Sequence, residues 1–130
     1  VTAADYAEAV AETVRELDQA SRNVRDDWED GDPVREYLAD SLDSYYEVSG
    51  GIPWVTPGKV RVHAVRVVVT VGGPYADLRY AIGSDVVTVH AAYGGETADV
   101  QVVAPAFAGD LAALASAWEW ESGVADLAVR

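Results

Sequence analysis

The run Val60–Pro74, Val-Arg-Val-His-Ala-Val-Arg-Val-Val-Val-Thr-Val-Gly-Gly-Pro, constrains this chain more than any other stretch. Seven valines and a threonine precede its Gly-Gly-Pro stop. Side chains branched at Cβ fit a pleated, half-buried surface better than a helix, so the run predicts a β-strand inside a sheet. Its alternation also slips. Val60 and Val62 are apolar at even positions, but from Val65 the apolar positions are odd: Val65, Val67, Val69 and Val71. A period of two cannot change phase within a regular strand, which predicts a bulge or sharp bend near Ala64. Arg61, His63 and Arg66 then form one basic spot.

A strand needs partners, and the residues that follow supply them. Ala76, Leu78, Tyr80 and Ile82 alternate with Asp77 and Arg79, so the first set is expected on the core and the second outside. Gly83-Ser84-Asp85 turns the chain into Val86–Tyr93, where Val87, Val89, Ala91 and Tyr93 share a side. Gly94-Gly95-Glu96 turns it again into Ala98–Val103. Loops this short join antiparallel strands, in a meander or a Greek key. Clean alternation implies one covered face. Val68, Val86, Ala92 and Val103 fall on the other face, where a structural homo-oligomer would pair.

Helices flank the strands. Residues 3–28 carry Tyr6, Val10, Val14, Leu17, Val24 and Trp28 at helical spacing, widened by Ala7, Ala11 and Ala20. Thr2 and Asp5 are spaced as a capping box, and Asp18 and Arg22 are expected to pair on the wet side. Asp32-Pro33 suits the start of a second helix over 33–45, with Val34, Tyr37, Leu38, Leu42 and Tyr45 buried. Residues 46–59, rich in Gly and Pro, read as a loop with room for a short strand at Tyr46–Ser49. A last helix follows Pro105, striped by Phe107, Leu111, Leu114 and Trp118. The expectation is one α+β domain over 1–130, ordered ααββββα, with the helices on one face of a mainly antiparallel four-stranded meander.

Charge sets the surface. There are 22 acidic residues against 9 basic ones, a net charge of −13, and Lys59 is the one lysine. A hydrophobic share of 50% rules out reading this as a disordered acidic tail. Such a surface repels DNA, RNA and anionic membranes, so direct nucleic-acid binding is not expected. Neither a secretory leader nor an apolar run long enough for a bilayer is read, and a cytoplasmic location is expected. Two explanations of the charge compete. Few Lys and Ile with abundant Asp, Glu, Ala and Val resembles the proteins of salt-loving archaea, where salt screens the repulsion. Alternatively the acidic surface meets a basic partner.

Sites of chemistry are few. Asp26-Asp27-Trp28-Glu29-Asp30-Gly31-Asp32 is the densest acidic run. It fails as a calcium loop, because Trp28 stands where an oxygen ligand is needed and Tyr37 where a bidentate Glu should close the site. Asp26, Asp27, Glu29, Asp30 and Asp32 are instead the candidate face for a basic partner. With no cysteine, no phosphate loop and no His-rich metal spacing, neither a cofactor nor a metal is expected. His63 and His90, the two histidines, could meet across the sheet near Asp77 or Asp99; with Arg61 and Trp54 they are the candidate ligand-binding residues. Asp40 with Asp43, and Glu119 with Glu121, read as exposed carboxylates rather than catalytic pairs.

Tyr37-Leu38-Ala39-Asp40-Ser41-Leu42-Asp43, followed by Val67-Val68-Val69-Thr70-Val71-Gly72-Gly73-Pro74, resembles a small acidic family from phages and integrative elements. That family has a YLxDxLD helix and then a hydrophobic strand ending in GGP. The resemblance spans about residues 34–95 and departs at His90-Ala91-Ala92-Tyr93, where the family has a tryptophan-rich strand. It has no established activity, so no catalytic residue is carried over. The resemblance implies a mobile-element origin and, with it, a host-interaction or inhibitor role. The function expected is therefore a non-catalytic module for a basic protein, in its sharpest form a nucleic-acid mimic. The alternative is a salt-adapted ligand-binding domain or small enzyme.

Overall fold

The computed structural model describes residues 2–23, 33–49, 61–72 and 74–122. In chain order these form α1 (Ala3–Asn23), α2 (Pro33–Ala39), β1 (Asp43–Ser49), β2 (Arg61–Thr70), β3 (Tyr75–Ala81), β4 (Val86–Tyr93), β5 (Glu96–Val103) and α3 (Pro105–Ser122). The strands make one antiparallel sheet in the order β1-β2-β3-β4-β5, a meander. The α+β class, the antiparallel pairing and the helices packed on one side of the sheet agree with expectation. The strand number does not: there are five, and the second helix stops six residues early.

The reason lies at Asp40–Asp43. Asp40 and Ser41 donate backbone hydrogen bonds to Tyr37 and Leu38, closing the last turn of α2 (3.2 and 3.1 Å). The next donor, Leu42 N–H, goes to the Val68 carbonyl across the sheet (2.9 Å). Asp and Ser side chains compete with helix hydrogen bonds, and Tyr45-Tyr46-Glu47-Val48 favours extended chain. Periods of two and of 3.6 overlap over so short a run. Tyr46, not Tyr45, points inward, stacking on Trp118 with centroids 4.9 Å apart and planes at 13°. Leu42 and Tyr45 are exposed.

The slip in β2 is present. Glu47 opposes Ala64 and Val48 opposes Val62, leaving His63 as the extra residue. Val62 and Val65 thereby both reach the buried face. The carboxylate of Glu119 on α3 accepts a hydrogen bond from Val62 N–H at this irregularity (3.0 Å). Glu119 is thus tied to the sheet, not simply solvated.

The core lies between the sheet and the helices. Val65, Val67, Leu78, Val87 and Val89 from the sheet meet Val14, Val34, Phe107 and Leu111 from the helices, all fully buried. Each such side chain stabilises the fold by roughly 1.5–3 kcal/mol relative to exposure. Ile82 and Tyr93, expected inside, stand exposed at strand ends. Thr2 and Asp5 form the reciprocal capping box: each backbone N–H meets the other's side-chain oxygen at 3.1 Å. These bonds hold the Asp5 carboxyl below its ordinary pKa.

Asp18 departs from expectation. It pairs with Arg22 at 3.0 Å as the spacing required, yet it is 1% exposed and accepts a hydrogen bond from Phe107 N–H (2.9 Å). It shares the inner face of α1 with Ala7, Ala11, Val14 and Ser21. Ala104, just before α3, has no side chain able to cap that helix, and Asp18 supplies the missing acceptor from another element.

Two-residue and four-residue turns set the register. Gly94 and Gly95 have φ of +61° and +81°, as a type I′ hairpin between Tyr93 and Glu96 demands.

Candidate functional site on the open sheet face

Alternation sends every second strand residue to the face away from the helices. The register aligns Asp43, Val68, Asp77, His90 and Asp99 in one row across all five strands. The next row is Tyr45, Arg66, Arg79, Thr88 and Gln101. On β1, Glu47 follows Tyr45 on the same side, and on β3, Tyr75 precedes Asp77. This face carries a connected set of polar groups.

Asp77 stands at its centre, on the middle strand, and is 1% exposed. Tyr75 hydroxyl donates to its Oδ2 (2.7 Å). Arg66 Nε lies 4.0 Å from its Oδ1, an ion pair without a hydrogen bond, and Oδ1 accepts none. Burial, then the bond to the Asp77 carboxylate, pushes the Tyr75 phenol up to about 12. A phenolate beside a buried carboxylate is strongly disfavoured, so Tyr75 acts as a fixed donor.

Around this centre, Arg79 Nε donates to Glu47 Oε2 (2.7 Å) and holds the Glu47 carboxyl below its usual range. His90 Nδ1 lies within hydrogen-bonding distance of Asp99, and its ring meets Tyr75 edge-on with centroids 6.4 Å apart. A hydrogen bond to Asp43 raises the pKa of the Tyr45 phenol. Tyr45, Glu47, Arg66 and Tyr75 line a recess of about 390 Å³.

Of the residues singled out from sequence, Asp26, Asp27, Glu29, Asp30, Asp32 and Trp54 lie outside the described residues. His90 does meet Asp99, and Asp77 opposes it across the β3–β4 ladder. His63 is not brought to it. The His63 carbonyl accepts from Ile82 N–H, one residue past the end of β3 and five residues from Asp77, or roughly 16 Å at strand rise. Arg61 and His63 are exposed at the start of β2, whereas Arg66 belongs to the central cluster. The expected basic spot is therefore divided, and its third member faces carboxylates. Val68, expected on a free apolar face, is 4% exposed, with Asp43 and Asp77 as its cross-strand partners.

Sequence reasoning missed Tyr45, Glu47 and Tyr75 as site residues. The signal available was the period of two in Tyr45-x-Glu47 and Tyr75-x-Asp77-x-Arg79, polar on one side of each strand. Among the described residues, no group of three or more His, Cys, Asp or Glu is placed to hold a metal ion. No described helix is long and apolar enough to cross a membrane.

A second recess, of about 330 Å³, lies between α2 and α3, lined by Arg35, Leu38, Ala39, Asp110, Ala113 and Leu114. Its walls are mainly apolar, with the Arg35–Asp110 pair (3.5 Å) at its side.

No protein-family model matches the chain, and no curated protein or solved structure is significantly similar to it.

Proposed function

We propose that this chain is a non-catalytic interaction module whose partner is a basic protein, and that its acidity is the recognition element. The observation that carries this reading is how the charge is distributed. Arg15, Arg22, Arg35, Arg66 and Arg79 are each paired with a carboxylate of the same chain, at 2.7–4.0 Å. Cations neutralised internally leave the surplus of acid unanswered. Glu16, Glu36, Asp40, Asp85, Glu96 and Glu121 are all exposed, on a chain of net charge −13. Such a field steers a cationic partner and repels nucleic acid. The sharpest form of the proposal is a nucleic-acid mimic, an inhibitor encoded by a mobile element that competes with DNA or RNA for a basic protein.

The test is calorimetric titration with an octa-arginine peptide at 50 and 500 mM KCl, with octaglutamate as control. Binding at 50 mM that weakens strongly at 500 mM is expected, because screening shortens the reach of each charge. Absence of binding at 50 mM, or affinity unchanged at 500 mM, overturns the proposal.

A further inference from the structure

The face of the sheet away from the helices holds a place built for one cationic group. Tyr45 and Tyr75 contribute aromatic rings to the recess, and Glu47 contributes a carboxylate. Tyr75 also anchors Asp77, whose Oδ1 is buried and accepts no hydrogen bond. A buried carboxylate oxygen with no donor is unfavourable, and a charged donor relieves it most. Aromatic faces add attraction for the same kind of group.

Arg66 is the cation now beside that oxygen, and it is poorly seated. Its Nε remains 4.0 Å from Oδ1, it makes no hydrogen bond there, and its side chain is 43% exposed. Arg79, by contrast, is fixed to Glu47 at 2.7 Å. An arginine that lines a recess, approaches its acid without bonding it and remains wet is easily displaced.

Resting on the reading of a basic partner, we infer that this recess receives one arginine or lysine side chain of that partner, and that Arg66 is the chain's own displaceable stand-in for it. The partner's cation lies between the tyrosine rings, towards Glu47 and Asp77, while Arg66 swings to solvent. Asp43, Glu47 and Asp77 against Arg66 and Arg79 make the surroundings acidic by one charge. With Arg66 withdrawn the acidic excess is two. Charge complementarity thus selects a basic side chain over the alternative, a carboxylate captured by Arg66.

The two chemistries predict opposite effects of one substitution. Octa-arginine would be titrated by calorimetry at 50 mM KCl into the wild type, Arg66→Gln, Glu47→Gln and Tyr45→Ala, with circular dichroism checking the fold of each. Removing the competitor in Arg66→Gln should tighten binding about three- to tenfold, whereas Glu47→Gln and Tyr45→Ala should each weaken it by a similar factor. Glu12→Gln, on α1 and already paired within the chain to Arg15, controls for net charge and should change affinity by less than twofold. If all variants bind as the wild type does, the recess inference is overturned while the basic-partner reading stands. If the wild type does not bind the peptide, that reading fails, and this inference with it. Should Arg66→Gln lose binding, or the wild type bind octaglutamate through Arg66, the site takes an anion and the inference is overturned. Where Arg66→Gln does not fold, Arg66→Lys, with a shorter reach and a single charged head, should still tighten binding.

Discussion

Replacing Asp18 by alanine removes the acceptor that one helix lends to another. Phe107 is the third residue of α3, and without Asp18 its N–H is a buried donor with no partner. Loss of a cap costs about 0.5–2 kcal/mol. Stranding a buried donor costs roughly 1–3 kcal/mol. Both figures describe the same bond, so they overlap rather than add, and about 2 kcal/mol is expected. Breaking the pair with Arg22 adds little, because that side chain is 45% exposed and water can solvate it. At this chain length each kcal/mol lowers Tm by roughly 3–5 °C, so a fall of about 6–10 °C should follow. Asp18→Asn retains a carbonyl oxygen for Phe107 and should lose about half as much. Arg22→Ala should cost roughly 1–3 kcal/mol, because Asp18 is 1% exposed and its carboxylate would keep only the Phe107 donor. Urea denaturation followed by tryptophan fluorescence, with thermal melts by circular dichroism, measures all three. If Asp18→Ala proves as stable as wild type, or if Asn is as damaging as Ala, the inter-helix cap is not what holds α3.

Other perturbations probe separate parts of the molecule. Tyr75 should titrate spectrophotometrically near 12, and Tyr75→Phe should abolish that step. Because its folded pKa is raised, Tyr75 contributes stability that is complete below the unfolded value of about 10 and lost as pH rises through about 12. Glu47 has the opposite sign: its folded pKa is lowered by Arg79, so its contribution is present above the ordinary carboxylate pKa and lost as pH falls through the depressed value. Being half-exposed, that pair is worth at most about 1 kcal/mol, and the difference between wild type and Glu47→Gln should vanish in acid. Leu78→Ala, in the middle of the core, should cost about 2–5 kcal/mol in urea denaturation. Gly94→Ala places a side chain at φ +61° and should cost about 1–2 kcal/mol by the same assay.

Much of this fold was legible because the strands after Val60 obey a period of two and their turns carry glycine. Even the phase slip near Ala64 announced the irregularity at His63. Residues 40–48 were harder to read. Leu42 and Tyr45 fit a helical stripe as well as they fit a strand, and the Leu42 bond to Val68, a contact distant in sequence, decides between them. Asp18 shows another limit: spacing revealed its pair with Arg22 but not the amide of Phe107, 89 positions away. The site was the least legible part. Tyr45, Glu47, Arg66, Tyr75 and Asp77 come from three strands, and only the inter-strand register brings them together. His63 and His90, attractive as a pair in sequence, are separated by that same register.

The question beneath all of this is whether the acidity serves recognition or only a saline solvent. Circular dichroism and thermal melting from ~10 mM to ~3 M KCl address it directly, since screening passes from weak to nearly complete over that range. A chain that is folded in dilute buffer, with a cooperative melt and an unchanged spectrum up to molar salt, supports a charge kept for a basic partner. A chain that is unfolded at ~10 mM and folds only near molar salt contradicts it, and the acidity would then be adaptation to salt alone.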